Sequence, residues 1–359
     1  MFRQLKEIFA IFTFKNIIIT GVLVRLSIFS ALCIYAFPYG PSPPISPFHF
    51  QTGMDLGFYI IEFSYSSLLH FIENLFIQYR NLLFSTGMDV RFPGPVYPFL
   101  IWITEYSENN TLTLSIIIFL LEMFTFIIWC NVFKNHVYGL GGLLFCLMPQ
   151  LIWYGVLISS DVVMCFFVAL ALLVRKRLEE EHALLIIICL LAALSKPSGL
   201  LFLIFFCALP SDQVSRPKYL SILSYITALI ILIYYLPYFL VEQEILSKPK
   251  DDYSDDEILF RFFYIFGFHP SESGLWWASL IRWFFGSIFL VGFFHLVTSK
   301  NENRAVVLCF VILVVLFFHP SWRYLLPIIP IFYFEGLSYI RKKTDAFLFK
   351  TGKSININS

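Results

Sequence analysis

Six ionisable residues carry the chemistry in a chain that has few charges: Asp55, Asp89, Arg91, Asp161, Lys196 and Arg323. Asp55 stands in Gly53-Met54-Asp55-Leu56-Gly57-Phe58-Tyr59, and Arg91 opens Arg91-Phe92-Pro93-Gly94-Pro95-Val96-Tyr97-Pro98. Asp161 follows two serines, Lys196 precedes Pro197-Ser198-Gly199, and Arg323 lies between Trp322 and Tyr324. A carboxylate within reach of a hydroxyl can remove its proton as the oxygen attacks. Fixed cations favour departure of a phosphate whose charge grows in the transition state. An acid with several cations is therefore a set suited to displacing a phosphate leaving group, provided the fold brings them together.

The elements that must position them are set by composition. The chain has 359 residues, 58% of them hydrophobic, 19% aromatic and 14% charged, with a mean hydropathy of +0.78. Soluble domains carry roughly 25% charged residues. Long apolar runs recur from end to end, so the expected class is an all-α, polytopic transmembrane helical bundle, in which each segment satisfies its own backbone hydrogen bonds. The net charge of +1 gives no sign of nucleic-acid binding. The seven cysteines all fall in apolar spans without a close pair, which speaks against a disulfide framework or a zinc knuckle and for small packing residues.

About ten spans are expected, at Ile17–Phe37, Thr111–Phe133, Tyr138–Leu157, Val162–Val174, Ala183–Leu194, Leu200–Leu209, Tyr219–Val241, Leu275–Val297, Ala305–Phe318 and Tyr324–Ile340. The fourth to sixth are shorter than the ~20 residues of a perpendicular helix, which leaves room for reentrant pieces. The first is long for a signal-peptide core and lacks a small-residue cleavage site, so it reads as a retained span. Residues 1–350 form one membrane domain, with an outer loop over 38–110 and a short cytoplasmic tail over 351–359. Within that loop, Gly57 to Phe84 alternates Phe58, Ile61, Leu68, Phe71, Leu75 and Phe76 with Glu62, His70, Glu73 and Arg80, a pattern for helices lying in the interface. Arg3, Lys6 and Lys15 place the N-terminus in the cytoplasm, and the alternating turns that follow are basic on the same side. Of the 25 Lys and Arg, sixteen fall inside, seven outside, and Arg25 and Arg282 within spans. All six chemically notable residues then share the outer face.

Each has a plainer role as well. A charge in a loop is commonly just solvated. Asp161 could cap the helix that begins beside it, and Arg323 could anchor an aromatic belt at the interface. Arg25 reads as a snorkelling or packing charge with no catalytic role. Lys196, in a break between two short spans, is where broken helices hold charged ligands. Gly53-Met54-Asp55 recurs as Gly87-Met88-Asp89, too short a match to be a repeat, and Asn109 with Thr111 fits the glycosylation pattern on the outer side.

The order of these elements resembles the GT-C superfamily of membrane glycosyltransferases, particularly the branch of protein O-mannosyltransferases and lipid A aminoarabinose transferase. The stretches that carry the resemblance are Asp55 with Tyr59, Arg91 to Pro98, Ser160-Asp161, Leu194 to Gly199, and Arg323-Tyr324-Leu325-Leu326-Pro327-Ile328-Ile329-Pro330. It covers most of the chain through loose motifs whose order and sidedness match. It implies a polyprenyl- or dolichyl-phosphate sugar as donor and an acceptor hydroxyl on a lipid, glycan or protein. Asp55 would be the catalytic base. Arg91, Lys196 and Arg323 would bind the donor phosphate, with Tyr59, Asp89, Asp161 and Tyr324 in support. Related families often have Lys-Pro-Pro near the position of Arg91, which this chain lacks. A single displacement inverts the anomeric carbon, and the active site would be extracytoplasmic, with a bacterial inner membrane favoured and the endoplasmic reticulum membrane the alternative.

No cofactor is required by this reading, although Asp55 and Asp161, with His49 or His319, could gather around a divalent metal. Two other classes remain in view: a transporter or flippase for a lipid-linked sugar or anion, and a structural membrane subunit. Alternating access needs charge along a central path, whereas the notable charges gather on one side.

Overall fold

The computed structural model describes residues 13–36, 95–104, 110–155, 159–177, 182–208, 218–246, 258–268, 276–299, 303–317 and 325–350. Among these residues the chain is helical, without strands. The elements are α1 (Phe14–Ala36), α2 (Val96–Thr104), α3 (Asn110–Val132), α4 (Gly139–Cys146), α5 (Pro149–Gly155), α6 (Ser160–Arg177) and α7 (His182–Ser195). A 3-10 turn (Pro197–Gly199), α8 (Leu200–Leu203) and a π turn (Ile204–Ala208) follow. After them come α9 (Lys218–Leu246), α10 (Ile258–Ile265), α11 (Trp276–Thr298), α12 (Arg304–Phe317) and α13 (Ile329–Lys350).

Four of these, α1, α3, α9 and α11, contain windows long and apolar enough to cross a membrane. Four shorter apolar stretches accompany them. Their surfaces point to a bilayer environment. Along α9, Ile222, Ile226, Leu229, Ile233 and Leu236 are all exposed, spaced three and four residues apart on one helix face. In water such a stripe would be an interaction or aggregation surface; lipid is its natural solvent. The helices α6 and α13 fail the apolar test for a plain reason. Asp161 and Arg175-Lys176-Arg177 stand at the two ends of α6, and Glu335 and Arg341-Lys342-Lys343 lie within α13.

The expected third span is broken. Pro149 has no N–H and its ring excludes the helical position of the carbonyl four residues before it, so Tyr138–Leu157 divides into α4 and α5. The break at Lys196-Pro197 does the same between α7 and α8. The interfacial pattern at Gly57 to Phe84 lies outside the described residues, and only the end of the outer loop is seen, as α2.

One apolar core joins almost every helix, from Ile17 to Phe334. Its tightest crossing is α11 on α13. A Cβ on Gly292 would lie 1.9 Å from the Phe332 carbonyl oxygen, and one on Gly336 would lie 2.4 Å from that of Ile288. Small residues at these two positions let the backbones touch, the usual way helices gain packing in lipid. A smaller cluster of Tyr97, Leu114, Ile118, Val162 and Val163 ties α2 to α3 and α6.

Basic residues collect at one end of the bundle. Lys134 lies 5.6 Å over the Phe14 ring, Arg341 lies 5.1 Å over Tyr138, and the Lys176 ammonium donates to the Val132 carbonyl. Arg175 donates to Asn303 at 3.1 Å and stacks on Phe206 at 4.8 Å. These turns belong to the set that the charge pattern assigns to the cytoplasmic side.

Candidate functional site

Of the eight residues singled out in the sequence, Asp161 and Lys196 are described and meet directly. Asp55, Tyr59, Asp89, Arg91, Arg323 and Tyr324 lie outside the described residues, as do His49 and His319. The Asp161 carboxylate and the Lys196 ammonium form a buried ion pair through Oδ1 and Nζ. Asp161 is 1% exposed and Lys196 8%.

Local structure explains why they face each other. The helices α6 and α7 pack as an antiparallel pair, which sets the start of one level with the end of the other. Ser159 caps α6: its hydroxyl oxygen accepts from the Asp161 N–H at 3.1 Å and its hydroxyl donates to Asp161 Oδ2 at 3.1 Å. The cap is thus Ser159, and Asp161 sits two residues further on, in the first turn, where the helix dipole favours an anion. Lys196 directly follows α7, where the dipole favours a cation. Pro197 then ends the helix. The Ala193 carbonyl, whose helical donor Pro197 lacks, accepts instead from the Tyr235 hydroxyl at 2.8 Å. A Cβ on Gly199 would fall 2.2 Å from the Ala192 carbonyl oxygen, so the chain can fold back against α7 only with glycine there.

A second buried pair was not anticipated. Arg25, at the middle of α1, donates Nε to Glu122 Oε1 at 2.6 Å. Its Nη1 donates to the carbonyls of Gly21 at 3.3 Å and Cys146 at 3.1 Å, and its plane lies 3.9 Å over the Phe126 ring. The Cys146 carbonyl is available because the break at Pro149 takes the chain out of helical register after α4. Arg25 is 0% exposed and Glu122 6%. Reading Arg25 as a packing charge missed Glu122, the single acid in the apolar run of α3; an isolated acid opposite an isolated base in two apolar spans was the available signal.

Depth can be gauged from the basic end. Lys176 meets the last residue of α3, and at 1.5 Å per residue Glu122 lies about 15 Å along α3 from that point and Asp161 about 22 Å along α6. In a hydrocarbon core of about 30 Å, the first pair falls near half thickness and the second nearer the far side. Cys165, one turn along α6 from Asp161, lines a cavity together with Arg25 and Glu122.

Among the described residues no group of three His, Cys, Asp or Glu could hold a metal ion. Asp161, the one described member of the suggested metal set, is engaged by Lys196 and Ser159.

Among the described residues, fold and site together give an all-helical protein with apolar helices suited to a bilayer and two buried ion pairs, one of them at the junction of broken helices. Comparison with protein-family models, curated proteins and solved structures finds no match to the chain.

Proposed function

We propose that this protein is a membrane glycosyltransferase that moves a sugar from a polyprenyl- or dolichyl-phosphate donor to an acceptor hydroxyl on the extracytoplasmic face, with inversion. The observation that supports it best is the Asp161–Lys196 pair, held at a helix break toward the end of the bundle away from the basic turns. A donor of this class has its lipid tail in the bilayer and its phosphate at the surface, so its binding groups belong near such an end. The architecture it requires is a ten-span, GT-C-like bundle with its basic turns in the cytoplasm.

In this reading Asp55 takes the acceptor proton as its oxygen attacks the anomeric carbon and the lipid phosphate leaves. Lys196 steadies that phosphate through ammonium N–H donors. Because Asp161 neutralises its charge, the net attraction must come from Arg91 and Arg323, whose guanidinium groups match phosphate oxygens in pairs. Asp161 then acts as a positioning residue, fixing the direction of the Lys196 side chain.

The test is sugar transfer by purified protein in lipid, with a polyprenyl-phosphate sugar as donor. Asp55→Asn lowers the rate on the order of 10²-fold or more while donor binding persists; unchanged transfer by that variant removes Asp55 as the base. Mass spectrometry of glycolipids and glycoproteins from cells with and without the gene would name sugar and acceptor.

One observation favours a second reading, a transporter or flippase of a lipid-linked sugar or other anion. Arg25 and Glu122 put charge near half depth, where alternating access places its sites. Movement of an intact lipid-linked sugar across vesicle membranes without bond cleavage would select this reading over transfer.

A further inference from the structure

Cations from three separate segments converge at the basic end of the bundle. Lys134 is in the turn after α3, Lys176 near the end of α6, and Arg341, Lys342 and Lys343 on α13, and all are exposed. Arg341 lies 5.1 Å over the Tyr138 ring, which brings α13 against the turn that leads into α4. The same two elements touch further along, where the Tyr333 hydroxyl donates to the Gly141 carbonyl at 2.7 Å. Lys176 is tied to that turn by its hydrogen bond to the Val132 carbonyl. His136, in the same turn, has its pKa lowered by burial and then by Lys176, Arg341 and Lys342, so cations of two helices act on one point. Two acids of α13 are close in sequence: Glu335, which His295 meets at 3.7 Å, and Asp345, one turn beyond Arg341. Glu179, Glu180, Glu181 and Glu302 lie outside the described residues.

We propose that this end is a docking surface for the headgroups of anionic phospholipids, seated between the α3–α4 turn and α13. The cations supply the donors that a phosphodiester needs. Stacking occupies the face of the Arg341 guanidinium and leaves its N–H edge to phosphate oxygens. Lys176 gives one ammonium hydrogen to Val132 and keeps two. What lies beside the charges favours lipid over a soluble acidic partner. Tyr138 and Leu140 on one element, and Tyr339 and Ile340 on the other, are exposed. A hydrophilic acidic chain would leave these groups in water, whereas acyl chains cover them while the phosphates meet the cations. Clusters of four or more Lys and Arg beside a membrane helix attract anionic lipid, each adding roughly fivefold in affinity. The proposal needs only the bilayer environment and is independent of the transferase reading.

The test is native mass spectrometry of the full-length protein released from mixed micelles. These contain phosphatidylglycerol and phosphatidylcholine in equal amounts, with identical acyl chains. The unaltered protein should retain phosphatidylglycerol over phosphatidylcholine by roughly tenfold or more. Arg341→Gln/Lys342→Gln should bring the two lipids close to equality. Lys218→Gln/Arg304→Gln, which removes two exposed cations from the starts of α9 and α12, should keep the preference. Equal retention of both lipids by the unaltered protein would overturn the proposal, whatever the variants do. So would an undiminished preference in Arg341→Gln/Lys342→Gln. An equal fall in both double variants would overturn it as well, because the attraction would then belong to net charge and not to this surface.

Discussion

Among the described residues two ion pairs are buried, and they are built in opposite ways. Arg25 and Glu122 project from the middles of long, continuous apolar helices, α1 and α3. Asp161 and Lys196 stand at helix ends, where a serine cap and a proline break already disturb the backbone. The first pair is supported by borrowed partners: two carbonyls, one made available by a break in α4–α5, and an aromatic face. The second draws on the dipoles of α6 and α7 and on an extra hydroxyl from Ser159. A mid-helix pair can join helices, but substrate headgroups cannot reach it without a path. An end pair lies where the helices stop, which is why the functional proposal rests on it.

The largest effect should come from halving the deeper pair. Arg25→Leu or Glu122→Leu alone strands a charge near half depth, where breaking a buried pair costs on the order of 3–5 kcal/mol. The double variant Arg25→Leu/Glu122→Leu should recover most of that loss, because two apolar side chains can fill the space. Thermal unfolding in detergent, followed by a tryptophan or tag-based readout, checks both. Equal destabilisation by the singles and the double would mean that the pair is not the unit of stability.

The helix-end pair should break differently, through its backbone. Gly199→Ala sets a Cβ 2.2 Å from the Ala192 carbonyl oxygen, and overpacking of this kind costs about 1–3 kcal/mol. The damage should stay local: reactivity of Cys189, three residues before Ala192 on α7, should rise, while that of Cys146 beside Arg25 should not. A rise at both would show that the two pairs share one cooperative unit. Tyr235→Phe is a gentler probe of the same break. It removes the donor to the Ala193 carbonyl and should cost about 1 kcal/mol, measured against the same unfolding transition.

Much of this arrangement is legible in the sequence, and the contrast between the pairs shows where legibility stops. The span pattern placed most helices within a few residues: Thr111–Phe133 became Asn110–Val132 and Leu275–Val297 became Trp276–Thr298. Asp161 and Lys196 were visible because charges beside serine or proline interrupt an apolar run, and a period-based reading registers interruptions. That they pair with each other was not visible, since pairing depends on the antiparallel register of α6 and α7. Glu122 was missed for a related reason. One acid inside a largely apolar 23-residue helix leaves the hydropathy pattern intact, and its partner lies 97 positions away. Pro149 divided a span whose composition is apolar throughout, because hydropathy weighs side chains and the break is in the backbone.

The smallest effect belongs to the basic end, which offers an outer standard for both pairs. His136, in the turn after α3, has its pKa lowered, first by burial and then by Lys176, Arg341 and Lys342, against an opposing pull from Glu335. A histidine held below its unfolded value binds fewer protons in the fold than in the unfolded chain. Its neutral form therefore leaves stability intact above the unfolded value near 6.5, and stability falls as pH drops through that value toward the lower folded one. The side chain keeps substantial contact with solvent, so the slope should be slight. His136→Gln should flatten unfolding against pH between about 7 and 5 without altering the reactivity of Cys146 beside Arg25. A change in that reactivity would tie the turn to the deep pair through α3, and a slope that survives the substitution would assign it to another titrating group.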